Sequence, residues 1–204
     1  MVNYCGMTVI RVRKLEKRDL PTRVKWFNAL PVYTQMPLEI PISLADTEEW
    51  FMRNRLNDHR RDFSFVIEQG EAEVIVAMGG LVDINHYHRR AELYMVVNPE
   101  LFGKGIGGQA TRWLCNFGFV VLDLRRIYLF TLYGNERARR MYESIGFLQE
   151  GVLRQHHFHN GAYHDRCIYG LLKSDWQKQP WSITEGPISF EFSLAHNIET
   201  GAEP

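Results

Sequence analysis

Residues 94 to 108, Tyr-Met-Val-Val-Asn-Pro-Glu-Leu-Phe-Gly-Lys-Gly-Ile-Gly-Gly, constrain the chain more than any other stretch. An apolar run enters Asn98-Pro99, where proline removes a backbone donor and ends sheet pairing. Gly103, Gly105, Gly107 and Gly108 then crowd together, and Ile106, Ala110, Trp113, Leu114 and Phe117 recur at helical spacing. The segment reads as strand, glycine-rich turn and helix start. Glycine lets another molecule approach the main chain. Unpaired amides and the helix dipole make such a turn an anion site, suited to a pyrophosphate. It is not a P-loop, because no Ser or Thr follows Lys104. It is not a dinucleotide fingerprint either, because the glycine spacing is wrong, although Asp123 lies at a tempting distance.

The remaining chain reads as strands and helices interleaved. Thr8 to Arg13 is a first strand, and Asp19-Leu20-Pro21 a helix start with Asp19 as cap. Pro31, Pro37 and Pro41 break residues 30–46 into a loop with short helical pieces, and a helix opens at Asp46. Strands at Phe63 to Glu68 and Val74 to Ile84 flank a turn at Gly70, and a third runs from Ala91 to Val97. The glycine segment leads into a helix to about Leu122, then a strand from Ile127 to Leu132 and a helix from Glu136 to Ile145 capped by Gly146. Val152 to His159 and Ala162 to Leu172 are strands joined by Asn160-Gly161, a strong hairpin signal. The fold class is therefore mixed α/β, with a mainly antiparallel central sheet covered by helices. Beyond residue 174, the alternation of Ile188, Phe190, Phe192 and Leu194 predicts one extra strand. That strand could close a sheet edge, fold over its own domain or pair across a homodimer.

Composition excludes several function classes. With 204 residues the chain suits one domain plus an appendage. Its 24 basic and 24 acidic side chains cancel, against nucleic-acid binding driven by phosphate neutralisation. No apolar run is long enough to span a bilayer, which takes about 20 residues. The N-terminal residues lack a signal-peptide pattern, and Cys5, Cys115 and Cys167 suit reduced thiols, so a cytoplasmic location is expected.

Three stretches in this order and spacing carry a resemblance: Leu81-Val-Asp-Ile-Asn-His-Tyr-His-Arg-Arg-Ala-Glu92, Asn98-Pro-Glu-Leu-Phe-Gly-Lys-Gly-Ile-Gly, and Asn135-Glu-Arg-Ala-Arg-Arg-Met-Tyr-Glu-Ser-Ile-Gly-Phe147. Over roughly residues 8–172 the chain resembles the GCN5-related N-acetyltransferases (GNAT), in the branch of spermidine and ribosomal-protein N-terminal acetyltransferases. The resemblance implies a GNAT fold with a splayed strand pair, an acetyltransferase domain over residues 1–173 and a C-terminal extension over 174–204. It implies acetyl-CoA as co-substrate and no metal. Acetyl-CoA would lie along Met95, Val96 and Val97, its pyrophosphate on the amides of Phe102, Gly103, Lys104, Gly105, Ile106, Gly107 and Gly108. Asn135 and Ala138 would face its pantetheine. Phe102 stands where the family has Gln or Arg, so one side-chain contact is missing while the backbone cradle remains.

The implied reaction is attack of a neutral primary amine on the thioester. Tyr142 resembles the family tyrosine beside the CoA sulfur and is the candidate acid; its other reading is a core aromatic on the face of Ala138, Met141 and Ile145. Glu92, in an apolar strand where desolvation raises a carboxyl pKa, is the candidate base or proton-relay anchor. Its other reading is a carboxylate paired with Arg89 or Arg90, or one hydrogen-bonded to neighbouring backbone. Asp83 and Glu39 are candidates for binding a cationic substrate. His86 and His88 could border the amine pocket, and His157 and His159 share a strand face at two-ligand spacing, though no Cys or carboxylate pattern completes a metal set. A polyamine is the first substrate expected, although Gln35 and Met36 stand where polyamine enzymes carry acids. Amino sugars, aminoglycoside-like antibiotics and protein N-termini follow, and a non-catalytic acyl-CoA-binding module is the alternative from another class.

Overall fold

The computed structural model describes residues 7–36, 40–159, 161–195 and 198. Glu39, Cys5 and Asn160, singled out above, lie outside them. The elements are β1 (Thr8–Lys14), α1 (Leu20–Phe27), α2 (Leu30–Tyr33), α3 (Leu44–Asn54), β2 (Arg61–Gln69), β3 (Ala72–Asn85), β4 (Arg90–Val97), α4 (Ile106–Asn116), β5 (Arg126–Leu132), α5 (Glu136–Ile145), β6 (Leu148–His159), β7 (Ala162–Leu172), α6 (Lys173–Trp176) and β8 (Glu191–Leu194). They build one open sheet in the order β6-β7-β5-β4-β3-β2-β1-β8. Every pairing is antiparallel except β4 with β5. Among the described residues no helix is long and apolar enough to cross a membrane.

The alternation of strand side chains splits the core in two. One cluster packs Leu93, Leu114, Phe117, Ile127 and Ile145 under α4 and α5. The other packs Leu20, Trp26, Phe27, Met78 and Val96 under α1 and its neighbours. Burying each such side chain contributes on the order of 2 kcal/mol. β4 borders both clusters, so its odd residues face α4 and its even ones face α1.

Several expectations need correction. Asp19 precedes α1, but its carboxylate does not cap the helix. Instead it is 1% exposed and accepts from Arg13 at 2.7 and 2.9 Å, from the Ser64 hydroxyl at 2.8 Å and from the Glu16 amide at 2.9 Å. A buried carboxylate is tolerated when donors surround it. α3 starts before Asp46 because Ser43 caps it, its hydroxyl accepting from the Asp46 amide at 3.0 Å. The helix after the glycines ends its α-turns at Asn116 and continues to Val121 as a wider π-turn. Gly118 in that turn lies against Ile127 and Leu81, where a Cβ would come within 2.8 and 3.0 Å. β6 begins at Leu148, four residues early, because Leu148 already pairs with Gly170. Asp123, the tempting acid, is a surface group held by Arg89 and by Lys173 at 2.7 Å.

The extra strand forms where the alternation placed it, and it pairs with the chain's own β1. It therefore extends its own sheet past β1 and is the last strand on that side. The Phe190 carbonyl also accepts from the Val12 amide at 2.7 Å. Asn116 at the end of α4 anchors the intervening segment: its Oδ1 accepts from Trp176 Nε1 at 2.8 Å and from the Ile183 amide at 3.3 Å.

Candidate active site

The site begins where two parallel strands part. β4 and β5 pair at Arg90–Arg126, Ala91–Ile127 and Glu92–Tyr128 and then separate, whereas β3 follows β4 to Val97. The Asn98 amide donates to the Val76 carbonyl of β3 at 2.9 Å. Alternation along an antiparallel pair then turns the main-chain groups of Val96 and Tyr94 toward β3, and those of Leu93, Met95 and Val97 toward the gap. An extended ligand can add there as a strand. Of the three β4 residues expected to hold a cofactor, Met95 and Val97 offer backbone to it, while Val96 turns its main chain away. The gap widens into a cleft of about 600 Å³.

The glycine segment forms one end of this cleft. Gly103 and Gly105 have φ of 83° and 72°, and a Cβ at either would meet nothing within 4 Å. Backbone conformation, not crowding, therefore calls for glycine there. Gly105 is the cap of α4 and supplies no side chain, so the amides of Ile106, Gly107 and Gly108 enter the helix without capping partners. Gly107 has a second reason: a Cβ would lie 3.2 Å from Val97 and 3.3 Å from Met141, so the helix start presses directly on β4. Phe102, Lys104, Ile106 and Gly108 complete this wall. The amides of Ile106, Gly107 and Gly108, which no cap side chain takes among the described residues, with a helix end and open space above two left-handed glycines, fit a pyrophosphate.

α5 supplies the next wall through Ala138, Met141 and Tyr142. Asn135 also lines the cleft, but its side-chain oxygen caps α5 by accepting from the Ala138 amide at 3.2 Å, leaving its NH₂ for a ligand. Tyr142 is a core aromatic and a residue of the cleft at once. Its ring is 7% exposed and packs against Phe147 and Tyr169, with centroids 5.9 and 6.4 Å away. Among the described residues its hydroxyl has no hydrogen-bond partner, and the residue borders the cleft. Burial, and then the nearby Cys115, push its pKa up to about 12, so it stays a protonated donor.

Glu92 stands half-buried where the strands part. Arg89 is occupied with Asp123, and Arg90 lies over the Tyr128 ring at 5.6 Å, so neither takes the carboxylate. Among the described residues Glu92 makes no hydrogen bond or ion pair. Burial raises its pKa above the ordinary carboxylate value; Arg166 opposes this, Asp83 adds to it, and Arg60 opposes it. Asp83 lies outside the cleft lining, accepting from the Tyr128 hydroxyl at 2.8 Å. His86 turns to the Asp58 carbonyl at 3.2 Å, and neither it nor His88 borders the cleft. The rings of His157 and His159 stack at 5.9 Å, but no group of three metal-ligating side chains forms among the described residues.

Reading the sequence missed the arginines. Arg166 of β7 lines the cleft beside Phe130. Arg137 lies over the Phe102 ring at 4.0 Å, returning a cation to the place where the sequence has an aromatic. Arg60 bonds Asp62 at 2.7 Å, and the Tyr94 hydroxyl donates to the same carboxylate. Arg166 belongs to no local motif and is brought in by the β5–β7 register, whereas Arg137 rides on α5 inside a motif already noted and Arg60 lies just before β2. Gln35 and Met36 also line the cleft, and no described residue of the C-terminal segment beyond 174 does.

Comparison with known proteins gives this arrangement its family. Residues 10–148 match the family described as acetyltransferase (GNAT) domain. The chain is 34% identical over 167 residues to the spermidine N(1)-acetyltransferase of Escherichia coli K12, covering 78% of this chain and 86% of that one. It is 37% identical over 103 residues to a putative ribosomal N-acetyltransferase of Bacillus subtilis, covering 50% and 56%. The spermidine N-acetyltransferase of Vibrio cholerae, solved with CoA and spermine, superposes with a TM-score of 0.77 at 28% identity, over 83% of this chain and 98% of that one. A dodecameric structure of the same enzyme gives 0.71 at 27%, over 83% and 96%. A splayed strand pair, a glycine cradle on a helix end and these likenesses lead to one conclusion: the chain belongs to the GNAT acetyltransferase family and is an acetyl-CoA-dependent N-acetyltransferase.

Proposed function

We propose that the acceptor is a terminal primary amine of a small aliphatic di- or polyamine, with Glu92 as proton acceptor and Tyr142 as proton donor. The observation that carries this reading is Glu92: a half-buried carboxylate, without a hydrogen bond among the described residues, at the point where the strands part. Acetyl-CoA supplies an electrophilic thioester carbon. An aliphatic amine is almost wholly an ammonium at neutral pH, so a group at that carbon must take a proton before nitrogen can attack. Glu92 has the capacity, and its raised pKa makes it a better base than an exposed carboxylate. As the C–S bond breaks, the Tyr142 hydroxyl gives its proton to the sulfur. The cradle amides and the open edge of β4 hold the donor meanwhile.

Support for the polyamine class comes from the named relatives and from the acceptor side. Glu92 and Phe130 both line the cleft, and a carboxylate with an aromatic face attracts organic cations; Asp83 and Tyr128 are bonded to each other outside its lining. Gln35 and Met36 in the lining are neutral, so the distal end of a long polycation meets less charge there. The shorter diamines should therefore lose least. By analogy with the dodecameric relative, we infer that the enzyme works as a homo-oligomer.

The test is release of free thiol from acetyl-CoA by the purified protein. Spermidine, spermine, cadaverine, an amino sugar, an aminoglycoside and a peptide with a free N-terminus form the panel. Turnover is expected first on the aliphatic amines. Preference for the peptide would move the acceptor to a protein N-terminus, and thiol release with none of the six would end the proposal.

A further inference from the structure

We propose that Arg166 is a positioning residue for acetyl transfer: its guanidinium, laid on the Phe130 ring in the cleft that Glu92 also lines, is the counter-charge that keeps that carboxylate ionised until the amine arrives. This rests on the reading of Glu92 as base. β7 brings Arg166 opposite Leu132, on the stretch of β5 that has already left β4. The side chain thus reaches the cleft through the opening that makes it. Its guanidinium carbon lies 4.6 Å from the Phe130 centroid, a stack that fixes the plane and leaves the donor edges free. Among the described residues none of its donors makes a hydrogen bond, and its Nε is buried away from solvent. A partly buried cation without a bonded partner is costly unless an opposite charge stands close by.

Glu92 lines the same cleft, and its negative charge favours the Arg166 cation against burial. Four groups face Glu92 from the packed elements: Arg166 on β7, Asp83 on β3, Arg60 before β2 and Tyr128 on β5. Arg60 is bonded to Asp62 at 2.7 Å, and Asp83 and Tyr128 are bonded to each other at 2.8 Å. Only Arg166 among the four keeps its donors uncommitted. Burial alone would leave Glu92 protonated further up the pH scale and unable to accept the proton it must take. Arg166 offsets that.

The experiment reads the carboxyl directly and then the rate. In protein labelled with 13C at the glutamate carboxyls, Glu92→Gln identifies the Glu92 resonance by its loss. In R166Q the Glu92 titration midpoint should rise by about one pH unit, the low end expected for a lost opposite charge. R166K, which keeps the charge, should bring most of it back, with CoA affinity unchanged in both. The acid limb of kcat/KM for spermidine should move to higher pH in R166Q by the same amount, leaving rates at high pH alike. An unmoved midpoint in R166Q overturns the proposal. A moved midpoint with a Glu92→Gln enzyme of wild-type rate upholds the pairing but overturns Glu92 as base, and Arg166 then has no part in transfer.

Discussion

On the side proposed for the cofactor the cleft is walled by main chain: the open edge of Leu93, Met95 and Val97 and the backbone of residues 103–108. On the side proposed for the acceptor it is walled by ionisable and aromatic side chains, Glu92 and Arg166 with Phe130. A backbone wall binds whatever carries a pyrophosphate on an extended arm, and its precision comes from conformation. A side-chain wall sets protonation and acceptor choice, and single substitutions can redraw it. The two walls should therefore fail in different measurable quantities.

Glu92→Gln is the sharpest test of that division. Loss of a general base is worth on the order of 1000-fold in kcat/KM, and calorimetric CoA affinity should not change. The same variant should be more stable than the parent at pH 7. Burial holds the Glu92 pKa above its unfolded value, so the native state binds the proton more tightly. That contribution is fully present below the unfolded pKa, about 4.3, and is lost as pH rises through the folded pKa. Thermal melts should show the advantage of the variant shrinking as pH falls toward that range. Equal melting temperatures at pH 7, or weakened CoA binding, would mean that Glu92 holds the fold or the cofactor.

Tyr142 stands where the walls meet, and it separates ring from hydroxyl. Tyr142→Phe keeps the ring that packs on Phe147 and Tyr169. We expect kcat to drop on the order of 100-fold while the KM for acetyl-CoA and the melting temperature hold. A small kcat effect would return Tyr142 to the core alone.

Gly105→Val attacks the other wall. A β-branched residue held in the left-handed region costs about 1–2 kcal/mol, and relief of that strain should distort the amides at the head of α4. CoA affinity should fall roughly tenfold, and the pH profile at saturating acetyl-CoA should keep its shape. A shifted acid limb would show that the cradle and the base are not separate devices.

The two walls were also unequally legible in the sequence. A backbone that must turn left-handed and lie open announces itself through glycine, so Gly103 to Gly108 could be placed before any fold was known. α5 was equally plain, since its apolar face, Asn135 and Gly146 agree on both ends. Arg166 could not be read this way. It reaches Glu92 only through the β5–β7 register and the early parting of β4 from β5, neither of which leaves a local mark. Asp19 shows the same limit in the scaffold. Local pattern marked it as a helix cap, whereas partners six and 45 positions away claim its carboxylate. The π-turn after Asn116, where Gly118 meets Ile127 and Leu81, is likewise absent from helical periodicity, which does not contain tertiary contacts.

Arg137 gives the smallest predicted effect and the finest test of how far the cofactor wall is backbone. The family has Gln or Arg where this chain has Phe102, and here Arg137 lays its guanidinium over that ring at 4.0 Å. The pair would then replace one long polar side chain with a cation held on an aromatic platform, beside the amides at the head of α4. Arg137 is exposed, so water screens its charge, and an exposed ion pair of this kind with a ligand phosphate contributes about 0.5–1 kcal/mol. Arg137→Ala should weaken CoA binding by roughly two- to fivefold, with the loss shrinking as salt is raised. Phe102→Gln, which removes the platform but restores the family's polar group, should lose less than Arg137→Ala. If Arg137→Ala binds CoA as tightly as the parent at low salt, the amides alone hold the pyrophosphate and the stacked arginine is ornamental. If instead Phe102→Gln loses as much as Arg137→Ala, the aromatic ring itself contacts the donor, and this wall contains a side chain that matters after all.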